Sequence, residues 1–459
     1  MNFGIDSIDY YIPKLSLSIS ELAEKRNISA EKLHKGLGLK SMALVDSDED
    51  AASMAANALL NLINNNNINP SSIGRVYLGT ESALDASKPT ATYAVGTVEK
   101  KLEHKFGKRC FRNCDVLDIT FACVGAVDAL ENCMDWVRLN PKRKAIVIAS
   151  DIAKYELGSS GEYTQGAGAV AILVKNNPDL INISPTVGIS TSHVGDFFKP
   201  RRILSNSSFK ASNGVSIHEI TNSKKEEIEL FFEEPIFDGY YSNNCYQERI
   251  NEGLEHFYNQ KNTNYFKDWD HYIFHLPYAF HGRRMLLDIW LKWLKENKLF
   301  FQLEKEIGIE TKENYKEWKK AASKSSIYKD FINKKVADGE KASSNIGNMY
   351  TASIFMSLIS LLTISLQKNK NITGNKIGFL SYGSGSKSKI FEGTVVKNWK
   401  NKINKINIFK SLDERKLVDF KTYEKLHNSA IKNPILSNDA IVLTSIETKE
   451  NKQGFRYYS

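Results

Sequence analysis

The chain has 459 residues, of which 42% are hydrophobic and 25% are charged, and its formal net charge at pH 7 is +9. This length and composition predict a globular protein with two or three domains, or with two halves that share one large core. No apolar run reaches 18 residues, and the basic residues accompany no nucleic-acid-binding motif, so we expect neither a membrane span nor a nucleic-acid partner.

From the first residues of the sequence and its cysteines we expect a cytoplasmic protein. Residues 1–13 read as a strand and lack the basic start and apolar stretch of a signal peptide. Five cysteines are present, an odd number, and without an export signal we expect them to be reduced thiols. Cys110 and Cys114 have a spacing that could suit a metal, but no matching second pair exists, so we expect no metal site.

The first part of the chain alternates helices and strands. A helical pattern in "DAASMAANALLNLI" precedes a strand at 75–80, and further strands are predicted at 144–151 and 168–174. These strands are continuous apolar runs bounded by turn residues, the pattern of strands buried on both faces of a parallel or mixed sheet. Residues 176–225 look rich in loops.

A second alternating series follows, which suggests two similar halves. It contains a strand and turn at 271–280, the helix "GRRMLLDIWLKWLKEN", a long apolar helix around 349–367 and a strand at 376–382. We place the boundary between the halves after residue 175, giving domains 1–175 and 176–459. The polar, Lys-rich segment 296–342 reads as exposed inserted helices, and residues from about 411 onward read as a hairpin-and-helix appendage.

Cys123 is the first residue that could carry chemistry. It follows the strand-like "VLDITFA" and precedes the helical pattern "VGAVDALENCMDWV", and the small residues Gly125 and Ala126 open that helix. A thiol at a helix N-terminus feels the positive end of the helix dipole, so we expect the pKa of Cys123 to be lowered. A buried structural cysteine is the alternative.

Three further polar groups stand where predicted strands end. Glu81 follows the strand in "VYLGTESALDASKP", His275 ends the strand in "YIFHLPYAF", and "FLSYGSGS" offers backbone N–H groups in a tight turn. Taken alone, Glu81 could be a solvated loop carboxylate, His275 a core histidine, and the glycine turn an ordinary loop. Together with Cys123, however, they supply a nucleophile, a carboxylate, an imidazole and oxyanion donors, which is the set required for acyl transfer followed by carbon–carbon bond formation.

These motifs occur together in the hydroxymethylglutaryl-CoA synthase family, which the sequence resembles over nearly its whole length. The matching segments, in chain order, are "LGTESALDASK", "DITFACVGAVDAL", "SDIAKYELGSSGEYTQGAGAVAILV", "GDFFKPRR", "FHLPY", "GNMYTAS" and "SYGSGS". The resemblance implies a thiolase-like α/β fold in which two related halves each contain a mixed five-stranded sheet layered between helices. It also implies a homodimer.

The resemblance further implies the reaction and its residues. Acetyl-CoA, acetoacetyl-CoA and water would give 3-hydroxy-3-methylglutaryl-CoA and CoA, as in the mevalonate pathway, without a cofactor. Cys123 would be the acylated nucleophile, Glu81 the general acid/base, and His275 the group that serves the second thioester. The residues implied to lie in the site or to contact substrate are Thr164, Ser242, Arg284, Asn348 and Ser384.

One position departs from the family pattern, and two other functions stay open. Relatives usually carry lysine three residues after the proline of the His275 motif, where the phosphates of CoA lie, whereas this chain has Phe280 there and Arg284 four residues later. One alternative is a related β-branching enzyme that takes its acceptor from an acyl-carrier protein. The basic residues Lys199, Arg201, Arg202, Arg283 and Arg284 suit either substrate. The other alternative is a thiolase-fold protein that binds acyl-CoA without turnover.

Overall fold

The structure is a computed structural model that describes residues 2–213, 216–218, 225–437 and 439–459. Its strands are β1 (Phe3–Tyr11), β2 (Leu15–Ser18), β3 (Ser41–Leu44), β4 (Arg75–Gly79), β5 (Asp115–Ile119), β6 (Lys144–Ala153), β7 (Gly166–Asn176), β8 (Ile181–Thr191), β9 (Phe197–Phe198), β10 (Arg201–Ser205), β11 (Glu227–Phe231), β12 (Ile236–Phe237), β13 (His271–Phe274), β14 (Lys376–Gly383), β15 (Lys387–Val395), β16 (Lys416–Leu417), β17 (Leu443–Ile446) and β18 (Arg456–Tyr458).

The helices alternate with these strands. They are α1 (Ile19–Lys25), α2 (Ala51–Asn66), α3 (Thr90–Phe106), α4 (Gly125–Arg138), α5 (Asn206–Asn213), α6 (Gly239–Lys261), α7 (Tyr265–Asp268), α8 (His281–Glu296), α9 (Phe300–Ile307), α10 (Tyr315–Ala322), α11 (Ser326–Lys335), α12 (Ala337–Glu340), α13 (Ser343–Ile346), α14 (Ser353–Gln367), α15 (Trp399–Ile403), α16 (Ile408–Asp413) and α17 (Phe420–His427). A π-helical turn spans Lys32–Leu37, and short 3₁₀ turns lie at Pro70–Ser72, Glu162–Thr164, Tyr350–Ala352 and Glu450–Lys452.

A nine-stranded mixed sheet shows that the two halves are related. Its order is β13-β14-β15-β8-β1-β7-β6-β4-β5. In the first half, moving outward from the centre, β1 and β7 are antiparallel, β7 and β6 are antiparallel, and β6 and β4 are parallel. The second half repeats this sequence of pairings with β8, β15, β14 and β13. The predicted α/β fold with two related halves is therefore confirmed. Within the described residues, the first half contributes five strands to the sheet and the second half contributes four.

The two halves meet where β1 and β8 pair. Gly4 lies opposite Asn182, and Ile5 lies opposite Ile181. A side chain at position 4 would place its Cβ 2.0 Å from the carbonyl oxygen of Ile181, so only glycine allows the two backbones to approach this closely.

Alternating side chains along the strands place helices on both faces of each half. On β6, Ile146 and Ile148 face the core formed with α2 and α3, whereas Val147 faces the core that contains α4 and α14. On β14, Phe379 joins that same central core, and Leu380 joins the core formed with α6 and α8. The molecule is thus built in five layers, with α4 and α14 between the two halves of the sheet.

Helix α14 is apolar on every side because protein surrounds it. Residues Tyr350–Gln367 are long and apolar enough to cross a membrane by length and composition alone, and 89% of this stretch is buried inside the protein. A helix that is hydrophobic all round belongs in the core of a large protein when other layers cover it.

Two segments differ in part from the sequence-based expectations. The stretch predicted as rich in loops contains the eleven-residue strand β8, whose pattern is broken by Pro185 and by Ser and Thr residues. The inserted segment is helical as expected, but Leu303, Trp318 and Tyr328 from α9, α10 and α11 are buried in the core of the second half. At the C-terminal end, β17 and β18 form the expected hairpin.

Candidate active site

Cys123 lies in the turn between β5 and α4, as its sequence context predicts. Ala122, immediately before it, has a left-handed backbone with φ of +38°. A side chain on Gly125 would bring a Cβ within 2.8 Å of the carbonyl oxygen of Ile119, so glycine allows the helix to start directly against the strand end. Cys123 is 7% exposed, and the aromatic residues packed with it are Tyr155, Phe197, Phe237 and Tyr350.

Glu81 contacts the thiol. It follows β4, its backbone N–H donates to Asp151 Oδ1 at 2.8 Å, and its side chain is only 6% exposed. The sulfur of Cys123 donates to Glu81 Oε1 across 3.1 Å. The structure therefore brings together the two residues that the sequence placed at the ends of separate strands.

Burial and the neighbouring charges raise the pKa of both groups. The pKa of Glu81 rises to about 7, chiefly through burial and also through the Asp151 carboxylate, while Lys199 and the Cys123 hydrogen bond oppose the rise. The pKa of Cys123 is raised well above its usual value by burial and by Glu81. The expectation that the helix dipole lowers this pKa was wrong, because burial beside a carboxylate outweighs the dipole. The resting side chain is a thiol.

His275 is a buried, neutral imidazole just beyond β13. Its backbone N–H donates to the carbonyl of Leu380 at 3.1 Å, and its own carbonyl accepts the hydroxyl of Tyr246 at 2.7 Å. Burial lowers the pKa of His275 to about 3, and a hydrogen bond with the backbone of Tyr350 partly opposes this shift. The ring can therefore donate one N–H and accept at its other nitrogen near neutral pH.

A cavity of about 410 Å³ brings Cys123 and His275 together with all five predicted substrate residues. Its walls include Thr164, Ser242, Arg284, Asn348 and Ser384. Glu81 does not line this cavity. It lines a neighbouring cavity of about 550 Å³, together with Lys199 and Arg201, and Phe197 forms part of both walls. The thiol of Cys123 and its hydrogen bond to Glu81 therefore connect the two cavities.

Hydrogen bonds fix the polar residues of the 410 Å³ cavity. Thr164 donates its hydroxyl to Gly161 at 2.7 Å, and its carbonyl accepts the N–H of Asn348 at 2.8 Å. Asn348 Oδ1 in turn accepts the N–H of Tyr350 at 2.8 Å. Ser242 donates to the buried carboxylate of Asp196 at 3.1 Å. These contacts hold the cavity walls in one arrangement before any ligand binds.

The glycine turn after β14 packs directly against the Cys123 turn. A Cβ on Gly383 would lie 2.7 Å from the carbonyl oxygen of Phe121 and 2.9 Å from the backbone nitrogen of Val124. The neighbouring Ser384 lines the cavity. The backbone amides of Cys123 and Ser384 are consequently candidates for a shared oxyanion site.

Only one of the basic residues considered from the sequence lies at the 410 Å³ cavity. Exposed Arg284 donates to the carbonyl of Gly36 at 2.7 Å and lines the cavity. Arg283 instead forms an ion pair with buried Glu340, and Lys199 Nζ lies 3.9 Å from Glu81 Oε2. Arg201 lines the neighbouring cavity with Glu81, and Arg202 donates to the carbonyl of Glu234 at 3.1 Å.

Phe280 has a packing role. The guanidinium of Arg283 stacks 3.7 Å from the centre of its ring. Gly38 lies against the same ring, which leaves no room for a side chain at position 38. A lysine at position 280 would lose both contacts.

Three buried residues of the site were not predicted from the sequence. Asp151 holds the Glu81 loop, and Asp196 accepts from Ser242, from the hydroxyl of Tyr382 at 2.7 Å and from the N–H of Gly385 at 2.8 Å. His281 lines the 410 Å³ cavity six residues after His275. Asp151 ends the apolar run at 144–151, which was the available signal, whereas Asp196 follows the mostly polar stretch at 190–195 and carries no comparable signal.

The five cysteines are unpaired thiols. No group of three or more His, Cys, Asp or Glu side chains that could hold a metal ion lies within the part of the chain that the structure describes.

Two family models match most of the chain. Residues 1–179 match the model described as hydroxymethylglutaryl-coenzyme A synthase N terminal, and residues 226–445 match the model described as its C terminal. Among curated proteins, the chain is similar to the hydroxymethylglutaryl-CoA synthase of Haloferax volcanii, at 30% identity over 93% of this chain and 91% of that protein. It is also similar to the synthase of Enterococcus faecalis, at 29% identity over 93% and 91% of the two chains.

Solved structures agree with these matches. A structure titled MvaS in complex with 3-hydroxy-3-methylglutaryl coenzyme A is 27% identical, with a TM-score of 0.77 over 100% of this chain and 99% of that chain. The HMG synthase of the curacin biosynthetic pathway, at 20% identity and a TM-score of 0.75 over the whole of both chains, shows the same fold. With both family models matched and a 30% identical relative covered almost throughout, this chain belongs to the hydroxymethylglutaryl-CoA synthase family.

Proposed function

We propose that this enzyme condenses an acetyl group carried on Cys123 with acetoacetyl-CoA, and that water then releases 3-hydroxy-3-methylglutaryl-CoA. The contact between the Cys123 thiol and Glu81, at the wall of a cavity that also contains His275, is the observation that carries this proposal. A nucleophile that touches a carboxylate with a pKa of about 7 is suited to chemistry that needs both a covalent carrier and a proton acceptor.

In the first step, the sulfur of Cys123 forms a bond with the carbonyl carbon of acetyl-CoA. Glu81 accepts the thiol proton and passes it to the sulfur of the departing CoA. The transient oxyanion is stabilised by the backbone N–H groups of Cys123 and Ser384, because the two turns that carry them are in contact. One such donor is worth about 3–4 kcal/mol of transition-state stabilisation.

In the second step, Glu81 removes a proton from the methyl group of acetyl-Cys123. The resulting enolate forms a carbon–carbon bond with the ketone carbon of acetoacetyl-CoA, and Glu81 returns the proton to the new alkoxide. Neutral His275 donates its N–H to the second thioester, which orients and polarises it. Water then adds to the thioester on Cys123, and the thiol regains its proton.

The match to the hydroxymethylglutaryl-CoA synthase family supports free CoA as the carrier of the second substrate. Arg284 is exposed at the cavity mouth and can make charge-assisted hydrogen bonds with a phosphate group. A carrier-protein enzyme would depend on an outer basic surface instead, and the solved curacin pathway protein, which shares only the fold at 20% identity, gives that alternative no further support. A homodimer, a cytoplasmic location and independence from any cofactor stay predictions from the sequence.

Mass spectrometry of the intact protein tests the proposal. Incubation with acetyl-CoA should add one acetyl group to the wild type and to Cys114→Ala, the matched control, but none to Cys123→Ala. Acetylation of Cys123→Ala at another cysteine would contradict the assignment.

Steady-state kinetics should separate the two carriers. We expect free acetoacetyl-CoA to be condensed efficiently and acetoacetyl-phosphopantetheine to show a clearly higher KM, because it keeps one phosphate but lacks the nucleotide, with its 3′-phosphate and the second phosphate of the pyrophosphate, and so offers Arg284 fewer anionic groups. Equal kcat/KM for these two acceptors, with much faster use of a carrier-bound acetoacetyl group, would favour the β-branching function.

A further inference from the structure

His281 is a second imidazole in the wall of the Cys123 cavity, and its polar atoms have no partner. It is the first residue of α8, is 1% exposed and lines the same cavity as His275. Neither ring nitrogen has a hydrogen-bond partner. Because buried polar side-chain atoms are nearly always hydrogen-bonded, two orphaned nitrogens on one ring require an explanation.

Aromatic contacts fix the orientation of this ring. His281 stacks on Tyr246 with ring centres 4.5 Å apart, and the ring of Tyr278 meets it edge-on at 4.8 Å. Tyr382 also stacks on Tyr246, with ring centres 4.3 Å apart. The His275 ring lies 6.2 Å from the same tyrosine, at an angle of 26° to it. The two imidazoles are thus held beside one tyrosine ring, both facing one cavity.

His275 also has an orphaned nitrogen. Its Nδ1 is buried without a partner, whereas the ring forms a hydrogen bond with the backbone of Tyr350. A backbone carbonyl can only accept, so that bond places the ring proton on Nε2 and leaves Nδ1 as a bare acceptor. The neutral ring of His281 carries one N–H that could satisfy this acceptor.

We propose that His281 is a positioning residue that donates its N–H to Nδ1 of His275, directly or through one water, when the site is occupied. This bond would fix the His275 tautomer that carries its proton on Nε2, and that N–H would exchange the Tyr350 carbonyl for the carbonyl oxygen of the second thioester when the substrate binds. The proposal rests on the proposed function, because it concerns the residue assigned to acetoacetyl-CoA. Partners that orient metal-ligating histidines are typically worth a 10–100-fold effect, and we expect an effect of about that size for this orienting bond.

Three variants test the proposal. His281→Phe keeps an aromatic ring against Tyr246 but cannot donate, whereas His281→Asn can donate an N–H. His271→Phe is the matched control, because His271 is a buried histidine at the other end of β13 whose ring is bonded to Asn375 at 3.1 Å. The measurements are kcat and KM for both thioesters, acetylation of Cys123 by intact mass, melting temperature, and ¹⁵N NMR of the histidine rings.

We expect His281→Phe to lower the condensation kcat about 10–100-fold, with acetyl-Cys123 still formed and the KM for acetyl-CoA within about twofold. The ¹⁵N shifts of His275 should change from a single Nε2–H tautomer to a mixture. His281→Asn should recover part of the rate, and His271→Phe should keep the wild-type rate.

Two results would overturn the proposal. One is an unchanged His275 tautomer in His281→Phe. The other is an equal loss of rate in the Phe and Asn variants that follows their melting temperatures, since this would show a purely structural role. Failure of the wild type to form acetyl-Cys123 would instead refute the proposed function, and the NMR result would still decide the role of His281.

Discussion

Replacing Glu81 by glutamine should separate the two chemical steps of the enzyme. The substitution removes a negative charge 3.1 Å from the sulfur of Cys123 but keeps an oxygen that can accept the S–H hydrogen bond. Because Glu81 is one of the causes of the raised pKa of Cys123, that pKa should fall in the variant, while Lys199 remains nearby. Burial, the larger cause, stays in the variant, but ionisation of Cys123 no longer places a thiolate beside a carboxylate, and solvent replaces Glu81 as the acceptor of the thiol proton. Acetylation of Cys123 should therefore persist, and its pH profile should move to lower pH.

The substitution has two opposite effects: it makes ionisation of Cys123 easier, and it removes the acid/base of the condensation step. A thiolate and a carboxylate 3.1 Å apart repel each other by about 5 kcal/mol at an effective dielectric constant of 20. The substitution removes this cost of ionising Cys123. In contrast, a positioned acid/base accelerates a proton transfer about 10²–10⁴-fold, which corresponds to about 3–5 kcal/mol. Because Glu81 acts on both the methyl proton and the new alkoxide, product formation should fall by at least this amount.

Two assays measure these effects on one preparation. Quenched samples analysed by intact mass give the rate of acetyl-Cys123 formation between pH 5 and 9, and consumption of acetoacetyl-CoA gives turnover. Glu103→Gln, an exposed carboxylate on α3, is the control and should match the wild type in both. Turnover of Glu81→Gln within tenfold of the wild type would remove Glu81 from the condensation step. An acetylation profile that does not move to lower pH would refute the reasoning on the thiol.

Four further substitutions test the roles of individual residues in substrate binding and stability. Arg284→Ala should raise the KM for both CoA substrates about 5–20-fold and weaken its salt dependence, since it removes the cation at the mouth of the cavity; unchanged values would rule out phosphate binding there. Arg283→Ala should leave KM unchanged and lower the free energy of unfolding by about 3 kcal/mol, because Glu340 would stay buried and unpaired; a change in KM without loss of stability would contradict this. Burial raises the pKa of Glu49 to about 7, so ionising this carboxyl group in the folded protein becomes costly as the pH rises. As the pH rises from 5 to 8, the free energy of unfolding of the wild type should therefore fall by about 2–3 kcal/mol relative to that of Glu49→Gln. Urea titrations that show a constant difference between the two proteins would contradict the assignment. Gly347→Ala should cost at least about 2 kcal/mol in a thermal melt, because φ is +87° and a Cβ would lie 1.9 Å from the carbonyl oxygen of Gln165; an unchanged melting temperature would show that this loop can shift.

The sequence predicted the placement of the site more fully than its electrostatics. Cys123 could be located because an apolar strand pattern changes to a helical pattern at that residue. Glu81 and His275 could be located because polar residues at strand ends gather at one edge of an α/β sheet. In each case the signal is local, and the fold then determines which strand ends lie side by side.

The pKa values and the roles of the basic residues could not be predicted in the same way. The direction of the Cys123 shift depends on how much solvent the folded chain removes and on which carboxylate lies beside the sulfur, and neither is a local property. Arg283 and Arg284 are adjacent in sequence, yet one pairs with Glu340 in α12 and the other reaches the cavity, because neighbouring helical residues point in different directions. Strand β8 was missed because its apolar pattern is interrupted, although the sheet places it at the centre of the molecule.

The duplicated architecture places one titratable group from each half at the site, and burial shifts the pKa values of these two groups in opposite directions because one is an acid and the other a base. Glu81 follows β4 and His275 follows β13, and these strands occupy equivalent positions in the two halves of the sheet. Each half therefore delivers one titratable side chain to the centre of the molecule. Burial there favours the neutral form of both groups, so it raises the pKa of the carboxyl to about 7 and lowers that of the imidazole to about 3. Near pH 7 the first half then supplies a carboxyl group that can accept or return a proton, and the second half supplies an uncharged hydrogen-bond donor. A condensation between two thioesters needs one group of each kind, which is why the site lies where the halves meet.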